Sequence, residues 1–160
     1  DSMRLHLREV KDANVQFIWQ TGKYYNAEMN KAVSDFGEIP NLRVLDFITD
    51  MGAAYNAADL VISRAGASSI SEFCLIGKPV ILVPSPNVAE DHQTKNAMAL
   101  VNKDAAVYVK DSEAPEMLLK RALEIVNDNA KLESLSTNIK KLGLPNSADV
   151  IADEVLKLVR

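Results

Sequence analysis

Along most of the chain, short apolar segments alternate regularly with longer segments of helical periodicity. Strand-like segments rich in Val, Ile and Leu lie at residues 15–20, 41–48, 60–63, 79–83 and 105–109. Helical segments lie between them at residues 26–36, 51–57, 68–76 and 91–103, and Gly37 and Gly77 stand where two of them should end. Strands joined by helices form parallel sheets, so the sequence predicts a Rossmann-like, doubly wound α/β domain.

Both ends of the chain are predicted to be helical. Residues 1–10 are charged throughout and lack the apolar core of a signal peptide. Residues 114–160 form a helical tail with predicted helices at 117–126, 130–142 and 148–159. Because the chain opens on a helix with no strand before it, we expect that it starts inside a longer protein. We expect residues 1–160 to form one domain.

Composition limits the partners, metal sites and cellular locations that we expect for this chain. The net charge is -4 and there is no dense basic run, so we expect no nucleic-acid partner. One cysteine, Cys74, and two histidines, His6 and His92, offer neither a disulfide nor a Cys/His metal cluster, which favours a reducing, cytoplasmic location. Cys74 falls on the apolar side of its predicted helix, as a core residue would. No apolar run reaches the length of a membrane span.

Ligands of parallel α/β domains bind where strands lead into helices, and the loop at residues 63–72 is the most informative of these. Small residues around Gly66 let the backbone approach a ligand, while helix N-terminal amides and Arg64 favour an anion such as a diphosphate. An alternative is purely structural: Ser69 and Glu72 have the spacing of a capping box, and Gly66 suits a tight turn. Both roles can coexist.

Two further loops are candidates. At the end of the second strand, Phe47 and Ile48 would suit a flat base, although both would equally suit a core. In the segment at residues 84–97, His92 and Gln93 fall in the first turn of a helix and can hydrogen-bond sugar hydroxyls, or be ordinary solvated side chains. The chain has no Walker loop and no dinucleotide-binding fingerprint, which disfavours ATPase and nicotinamide chemistry.

Several motifs together resemble those of a known family. They are Ile18-Trp19-Gln20-Thr21-Gly22-Lys23, Phe47-Ile48 with Asp50-Met51 and Ala53-Ala54-Tyr55, the run at residues 58–67, Ser71-Glu72 and Asn96-Ala97. In this order they resemble the C-terminal domain of the MurG family, over nearly the whole chain. This family belongs to the GT-B glycosyltransferases, whose two Rossmann-like halves bind donor and acceptor, so the chain would be one half of a GT-B fold.

The resemblance implies a binding role for particular residues. Ile48 would hydrogen-bond uracil through its backbone, with Phe47 beside it, and Glu72 would bind the ribose hydroxyls. Arg64 with Ala67, Ser68 and Ser69 would lie near the diphosphate and sugar, and His92 and Gln93 would contact the glucosamine hydroxyls. His92 departs from the pair of glutamines that the family carries there.

The resemblance also implies the activity of a full-length enzyme. It would transfer N-acetylglucosamine from UDP-N-acetylglucosamine to undecaprenyl-diphospho-MurNAc-pentapeptide with inversion, using no metal or cofactor, on the cytoplasmic face of the inner membrane. The lipid-linked acceptor would bind an N-terminal domain that this chain lacks. The chain also lacks the family's Gly-Gly-Ser phosphate loop, so we expect the chain alone to be inactive. The alternatives are a domain like that of a UDP-N-acetylglucosamine 2-epimerase and a non-catalytic nucleotide-sugar-binding module.

Overall fold

The computed structural model describes residues 1–87 and 91–158, within which five strands alternate with helices. The strands are β1 Phe17–Gln20, β2 Leu42–Leu45, β3 Val61–Ser63, β4 Val80–Leu82 and β5 Val107–Tyr108. The helices are α1 Ser2–Leu5, α2 Leu7–Asp12, α3 Lys23–Phe36, α4 Met51–Ala57, α5 Ala67–Ile76, α6 His92–Val101, α7 Ala114–Val126, α8 Asn129–Lys140 and α9 Ser147–Lys157.

All the strand pairs are parallel, as predicted. β1 pairs with β2, with Phe17 opposite Leu42, and β3, β4 and β5 pair in that order, with Ile81 between Ile62 and Val107. The backbone hydrogen bonds therefore divide the described strands into a group of two and a group of three. In each group the carboxyl ends of the strands lie at one edge, which is where their loops can meet.

Helices cover both faces of β4. Side chains alternate between the faces of a strand. Val80 and Leu82 pack in a cluster with Phe73 of α5, whereas Ile81 packs with Ile125 of α7 on the other face. All three residues of β4 are fully buried. The predicted doubly wound arrangement is thus confirmed around this central strand.

Two glycines end helices where the sequence predicts them. Gly77 follows α5 with a left-handed φ of 68°, and its N–H donates to the Phe73 carbonyl at 2.9 Å. Gly37 follows α3 with a φ of 111°, and its N–H donates to the Val33 carbonyl at 3.1 Å. Residues with a Cβ rarely adopt such positive φ values, which explains glycine at both positions.

The boundaries differ from the predicted ones mainly at strand ends. Every strand is shorter than predicted, and residues 46–48 belong to the loop after β2. The predicted N-terminal helix is broken at His6, whose ring Nδ1 lies 2.9 Å from the Ser2 carbonyl oxygen. Of the last predicted helix, Val159 lies outside the described residues.

The C-terminal tail is helical, as predicted. α8 packs against α5, and the Ser136 hydroxyl donates to the Gly77 carbonyl at 2.6 Å. α9 is different, since it leaves apolar side chains such as Val150, Ile151 and Leu156 exposed. Among residues 1–87 and 91–158, no helix is both long and apolar enough to cross a membrane.

Candidate functional site

The start of α5 is the centre of the candidate site. The helix begins at Ala67, and Gly66 before it has no side chain that can bond the first-turn amides. The first backbone bond of the helix runs from the Ile70 N–H to the Gly66 carbonyl at 3.0 Å. The N–H groups of Ala67, Ser68 and Ser69 therefore have no backbone acceptor within the helix. They point outward at the N-terminal end of α5, which is the positive end of the helix dipole. Such a helix start can bind an anion.

The capping-box interpretation of Ser69 and Glu72 is wrong. The structure places Ser69 as the third residue of α5, so it does not stand at the N-cap, and Glu72 lies inside the helix. A tight turn does not explain Gly66 either, because its φ of -68° is open to any residue. A Cβ added there would meet only the Ser69 hydroxyl, at 3.9 Å. The space over the helix start is thus open to a ligand.

Glu72 is exposed on α5, and Tyr55 of α4 holds its carboxylate. The Tyr55 hydroxyl donates to Glu72 Oε2 at 3.2 Å, and the Tyr55 ring meets Phe73 edge-on at 5.7 Å between centroids. Burial, the hydrogen bond to Glu72 and the charge of that carboxylate, in this order, raise the pKa of Tyr55. The phenol therefore keeps its proton at neutral pH and acts as the donor, which leaves the second carboxylate oxygen for another partner.

The segment after β2 is not part of the core. Phe47 is 58% exposed and Ile48 is half-buried, so the interpretation of both as ordinary core residues is wrong. The Ile48 N–H donates to the Gln20 side-chain oxygen at 2.8 Å. A base that bonds Ile48 must therefore use the Ile48 carbonyl or displace the Gln20 amide.

Side chains in the first turns of α6 form hydrogen bonds with the backbone of the loop after β3. The Gln93 side-chain oxygen accepts hydrogen bonds from the N–H groups of Ala65 at 3.2 Å and Ser85 at 2.9 Å. Asn96 donates to the Ala65 carbonyl at 3.2 Å, so α6 binds both polar groups of this fully buried residue. Because the Gln93 oxygen already accepts two bonds, the side-chain group left to meet a sugar is its amide nitrogen.

His92 stands at the exposed start of the same helix. The helix begins one residue later than predicted, because Asp91 has a left-handed φ of 55°. Residues 88–90 of the predicted sugar-binding segment lie outside the described residues. The structure thus brings Gln93 to the loops after β3 and β4, with His92 as its neighbour on α6.

Arg64 reaches across the ends of three strands. Its Nη1 donates to the carbonyls of Val83 at 3.1 Å and Pro84 at 3.3 Å, and it forms an ion pair with Asp111 in the loop after β5. The side chain nevertheless stays 55% exposed. Arg64 therefore lies at the edge of the sheet where these strands end, and the protein fixes part of its guanidinium.

Sequence reasoning missed the residues that support this site. They are Gln20, Tyr55, Asn96 and Asp111. The first three lie in the motifs that carry the family resemblance, where no role was given to their side chains. Asp111 follows the last strand, a position at which a polar residue in a parallel sheet is itself a signal. In the part of the chain that the structure describes, no group of three or more His, Cys, Asp or Glu side chains can hold a metal ion.

Solved structures define the class of fold. The crystal structure of Acinetobacter baumannii MurG matches with a TM-score of 0.83 at 27% identity, over 98% of this chain and 48% of that one. The glycosyltransferase VinC, solved in complex with dTDP, matches with a TM-score of 0.66 over 88% of this chain and 33% of that one, and at 15% identity it supports the fold alone. The fold is that of one half of a GT-B glycosyltransferase.

Within this class the family is clear from the sequence. The profile of the glycosyltransferase family 28 C-terminal domain matches residues 3–151, and the chain belongs to this family. A relative from Bacteroides thetaiotaomicron is 66% identical over 153 residues, and one from Cytophaga hutchinsonii is 46% identical over 158 residues. Both carry the name UDP-N-acetylglucosamine--N-acetylmuramyl-(pentapeptide) pyrophosphoryl-undecaprenol N-acetylglucosamine transferase. The resemblance found in the motifs is confirmed.

The match does not extend over the whole of these relatives. It covers 95% of this chain but 41% of the relative from Bacteroides thetaiotaomicron, and 99% of this chain but 42% of the relative from Cytophaga hutchinsonii. The chain thus spans about two fifths of the length of the curated relatives it matches.

Proposed function

We propose that residues 1–160 form the donor-binding domain of an enzyme that transfers N-acetylglucosamine from UDP-N-acetylglucosamine to undecaprenyl-diphospho-MurNAc-pentapeptide, converting lipid I to lipid II in peptidoglycan synthesis. The observation that carries the proposal is the open start of α5, where the amides of Ala67, Ser68 and Ser69 have no side-chain cap. A diphosphate is the group that such a site favours. The names of the relatives support the choice of donor and acceptor.

The other contacts follow from the position of each residue. The exposed Phe47 and the backbone of Ile48 would hold the uracil, and the carboxylate of Glu72 would accept hydrogen bonds from the ribose. Gln93 and His92, at the start of α6, would contact the glucosamine. These loops follow different strands, which is the usual construction of a ligand site in a parallel sheet.

In the proposed reaction the C4 hydroxyl of the acceptor attacks the anomeric carbon of the donor sugar. The bond from this carbon to the diphosphate breaks, the configuration inverts, and UDP leaves with the bonding electrons. The proton of the attacking hydroxyl would pass to a general base in the part of the enzyme that this chain does not span. Negative charge grows on the diphosphate as that bond breaks. The amides at the start of α5 and the guanidinium of Arg64 would stabilise this charge more strongly in the transition state than in the bound donor.

The whole enzyme requires a second substrate and a second site. The relatives' names include undecaprenol, a long lipid, and this acceptor would bind the part of the enzyme that the chain does not span. We propose that the enzyme works in the cytoplasm as a peripheral protein of the inner membrane, because one substrate is nucleotide-linked and the other is lipid-linked.

A panel of nucleotide sugars tests the donor. Saturation-transfer NMR with this chain should give the strongest transfer to UDP-N-acetylglucosamine, at both the uridine and the N-acetyl protons, because base and sugar would both contact the protein. UDP-glucose and UDP should show the uridine signals, and ADP-glucose should show little. Equal transfer to the uridine and adenosine compounds would contradict the proposed base site.

The chain by itself should not catalyse transfer. Positioning two substrates against each other supplies much of an enzyme's rate, and the 160 residues would position only the donor. Radiolabelled UDP-N-acetylglucosamine and a lipid-linked acceptor, incubated with purified chain, should therefore give no labelled lipid product. Turnover in this assay would show that the acceptor site lies within these residues.

Replacing Tyr55 with Phe tests the support of Glu72. The change removes only the hydroxyl that bonds Glu72 and retains the ring that contacts Phe73. We expect UDP affinity to fall by roughly two- to tenfold, the range for one net hydrogen bond, because the carboxylate loses its restraint. Calorimetric titration measures this change.

A ligand without ribose hydroxyls provides the control for Tyr55. The affinity for 2′,3′-dideoxyuridine diphosphate should be the same in Tyr55→Phe and the wild type, because Glu72 would have no hydroxyl to bind. An equal loss for both ligands would mean that Tyr55 supports the fold of the site and not its contact with ribose.

A further inference from the structure

The ion pair of Arg64 and Asp111 uses one side of the guanidinium only. Nη1 donates to the carbonyls of Val83 and Pro84 and to Asp111 Oδ1. A guanidinium Nη1 has two hydrogens, so at least one of them is shared between two of these acceptors. This nitrogen therefore has no hydrogen left for a ligand.

The opposite edge of the guanidinium is formed by Nε and Nη2. Within residues 1–87 and 91–158, the hydrogen bonds that Arg64 donates to the protein all start from Nη1. The Nε and Nη2 edge presents two parallel N–H groups, which is the geometry that pairs with two oxygens of a phosphate. Because the side chain is 55% exposed, a ligand can reach it.

We propose that Asp111 is a positioning residue of the donor site, which fixes Arg64 through Nη1 so that its Nε and Nη2 edge meets the donor diphosphate. This inference rests on the proposed function. An unanchored arginine would lose much rotamer freedom on binding a phosphate, whereas an arginine already held at the strand ends loses little. Asp111 also follows β5, so it connects a third loop to the site.

Because Asp111 is negatively charged, the two roles it could have predict opposite changes in UDP affinity when it is removed. If Asp111 merely competed with the diphosphate for Arg64, its removal would raise UDP affinity, since a negative group would leave the site. If it positions Arg64, its removal lowers UDP affinity through the arginine alone. The carboxylate is 35% exposed, so it can be substituted without opening a cavity in the core.

A double-mutant cycle measures this coupling. The variants are Asp111→Ala, Asp111→Asn, Arg64→Met and the double variant Arg64→Met with Asp111→Ala, titrated calorimetrically with UDP and with uridine. We expect Asp111→Ala to lower UDP affinity about three- to tenfold and to leave uridine binding unchanged, with no further loss in the Arg64→Met background. Asp111→Asn keeps an acceptor oxygen and should recover part of the affinity.

Three outcomes would overturn the inference: a gain in UDP affinity, an equal loss for uridine, or a loss that persists without Arg64. Glu113→Ala is the matched control, because this exposed acidic residue lies two positions further and caps no amide of α7. It should change neither affinity. If Asp111→Ala does not fold, Asp111→Asn replaces it in the cycle, together with the double variant Arg64→Met with Asp111→Asn. The loss of UDP affinity caused by Asp111→Asn must then also vanish in the Arg64→Met background.

The same titrations separate this inference from the proposed function. A wild-type chain that does not bind UDP contradicts the proposed function. A chain that binds UDP, loses it in Glu72→Ala and is indifferent to Asp111→Ala overturns only the role of Asp111.

Discussion

Replacing Glu72 with Ala is expected to weaken UDP binding by about 1.5–3 kcal/mol, the range for hydrogen bonds to a charged group. Glu72 would lose its contacts with the ribose, while the fold should lose little, because the residue is exposed and lies inside α5. Alanine is also a better helix former than glutamate at such a position. Calorimetric titration with UDP and thermal melts of the unliganded chain measure the two effects separately.

An exposed glutamate elsewhere supplies the control. Glu133 lies on α8, and Glu133→Ala should leave UDP affinity unchanged. A large fall in the melting temperature of Glu72→Ala, with UDP binding retained below the melt, would make Glu72 a structural residue and would remove it from the site.

Replacing Phe73 with Ala should have the opposite profile, although Phe73 is the next residue along α5. Phe73 is 1% exposed and packs with Val80 and Leu82 of β4 and edge-on against Tyr55. Truncating a buried phenylalanine costs about 3–5 kcal/mol through lost burial and the cavity that remains. This is a large part of the total of roughly 5–15 kcal/mol that keeps a domain folded. Urea denaturation followed by circular dichroism gives the free energy of unfolding.

Phe36 is the matched control for this loss. It ends α3 and is 43% exposed, so Phe36→Ala should cost much less. If Phe73→Ala is unfolded without urea, Phe73→Leu fills more of the space and should cost less than the alanine change. Equal losses at positions 36 and 73 would contradict the assignment of Phe73 to the core.

The parts of the fold that the sequence predicts are those set by neighbours along the chain. The apolar run of β4 predicts a buried parallel strand. Gly77 predicts the end of α5 because this end depends only on the φ angle of Gly77 itself. The opposite case is Ser69: its spacing to Glu72 fits a cap, but the helix starts earlier, at Ala67. A local pattern can indicate a helix start without fixing its first residue.

The parts of the site that the sequence does not predict depend on distant residues. Arg64 meets Asp111 across 47 positions, and Gln93 meets Ala65 across 28. A polar side chain shows that it needs a partner, but the packing of strands and helices decides which one. The sequence therefore predicts Arg64 and Gln93 as residues of the candidate site, whereas their hydrogen bonds with the protein are seen only in the structure.

The single cysteine of the chain can serve as a chemical probe of opening of the fold. Cys74 lies in α5, the helix whose first turn would hold the diphosphate, and it is 5% exposed. Burial raises the pKa of its thiol, so a disulfide reagent will modify it mainly in molecules that have opened. A ligand that binds only the folded chain reduces the open population in proportion to its own occupancy. The rate of thiol modification can thus report nucleotide binding in the unmutated chain, without an added label.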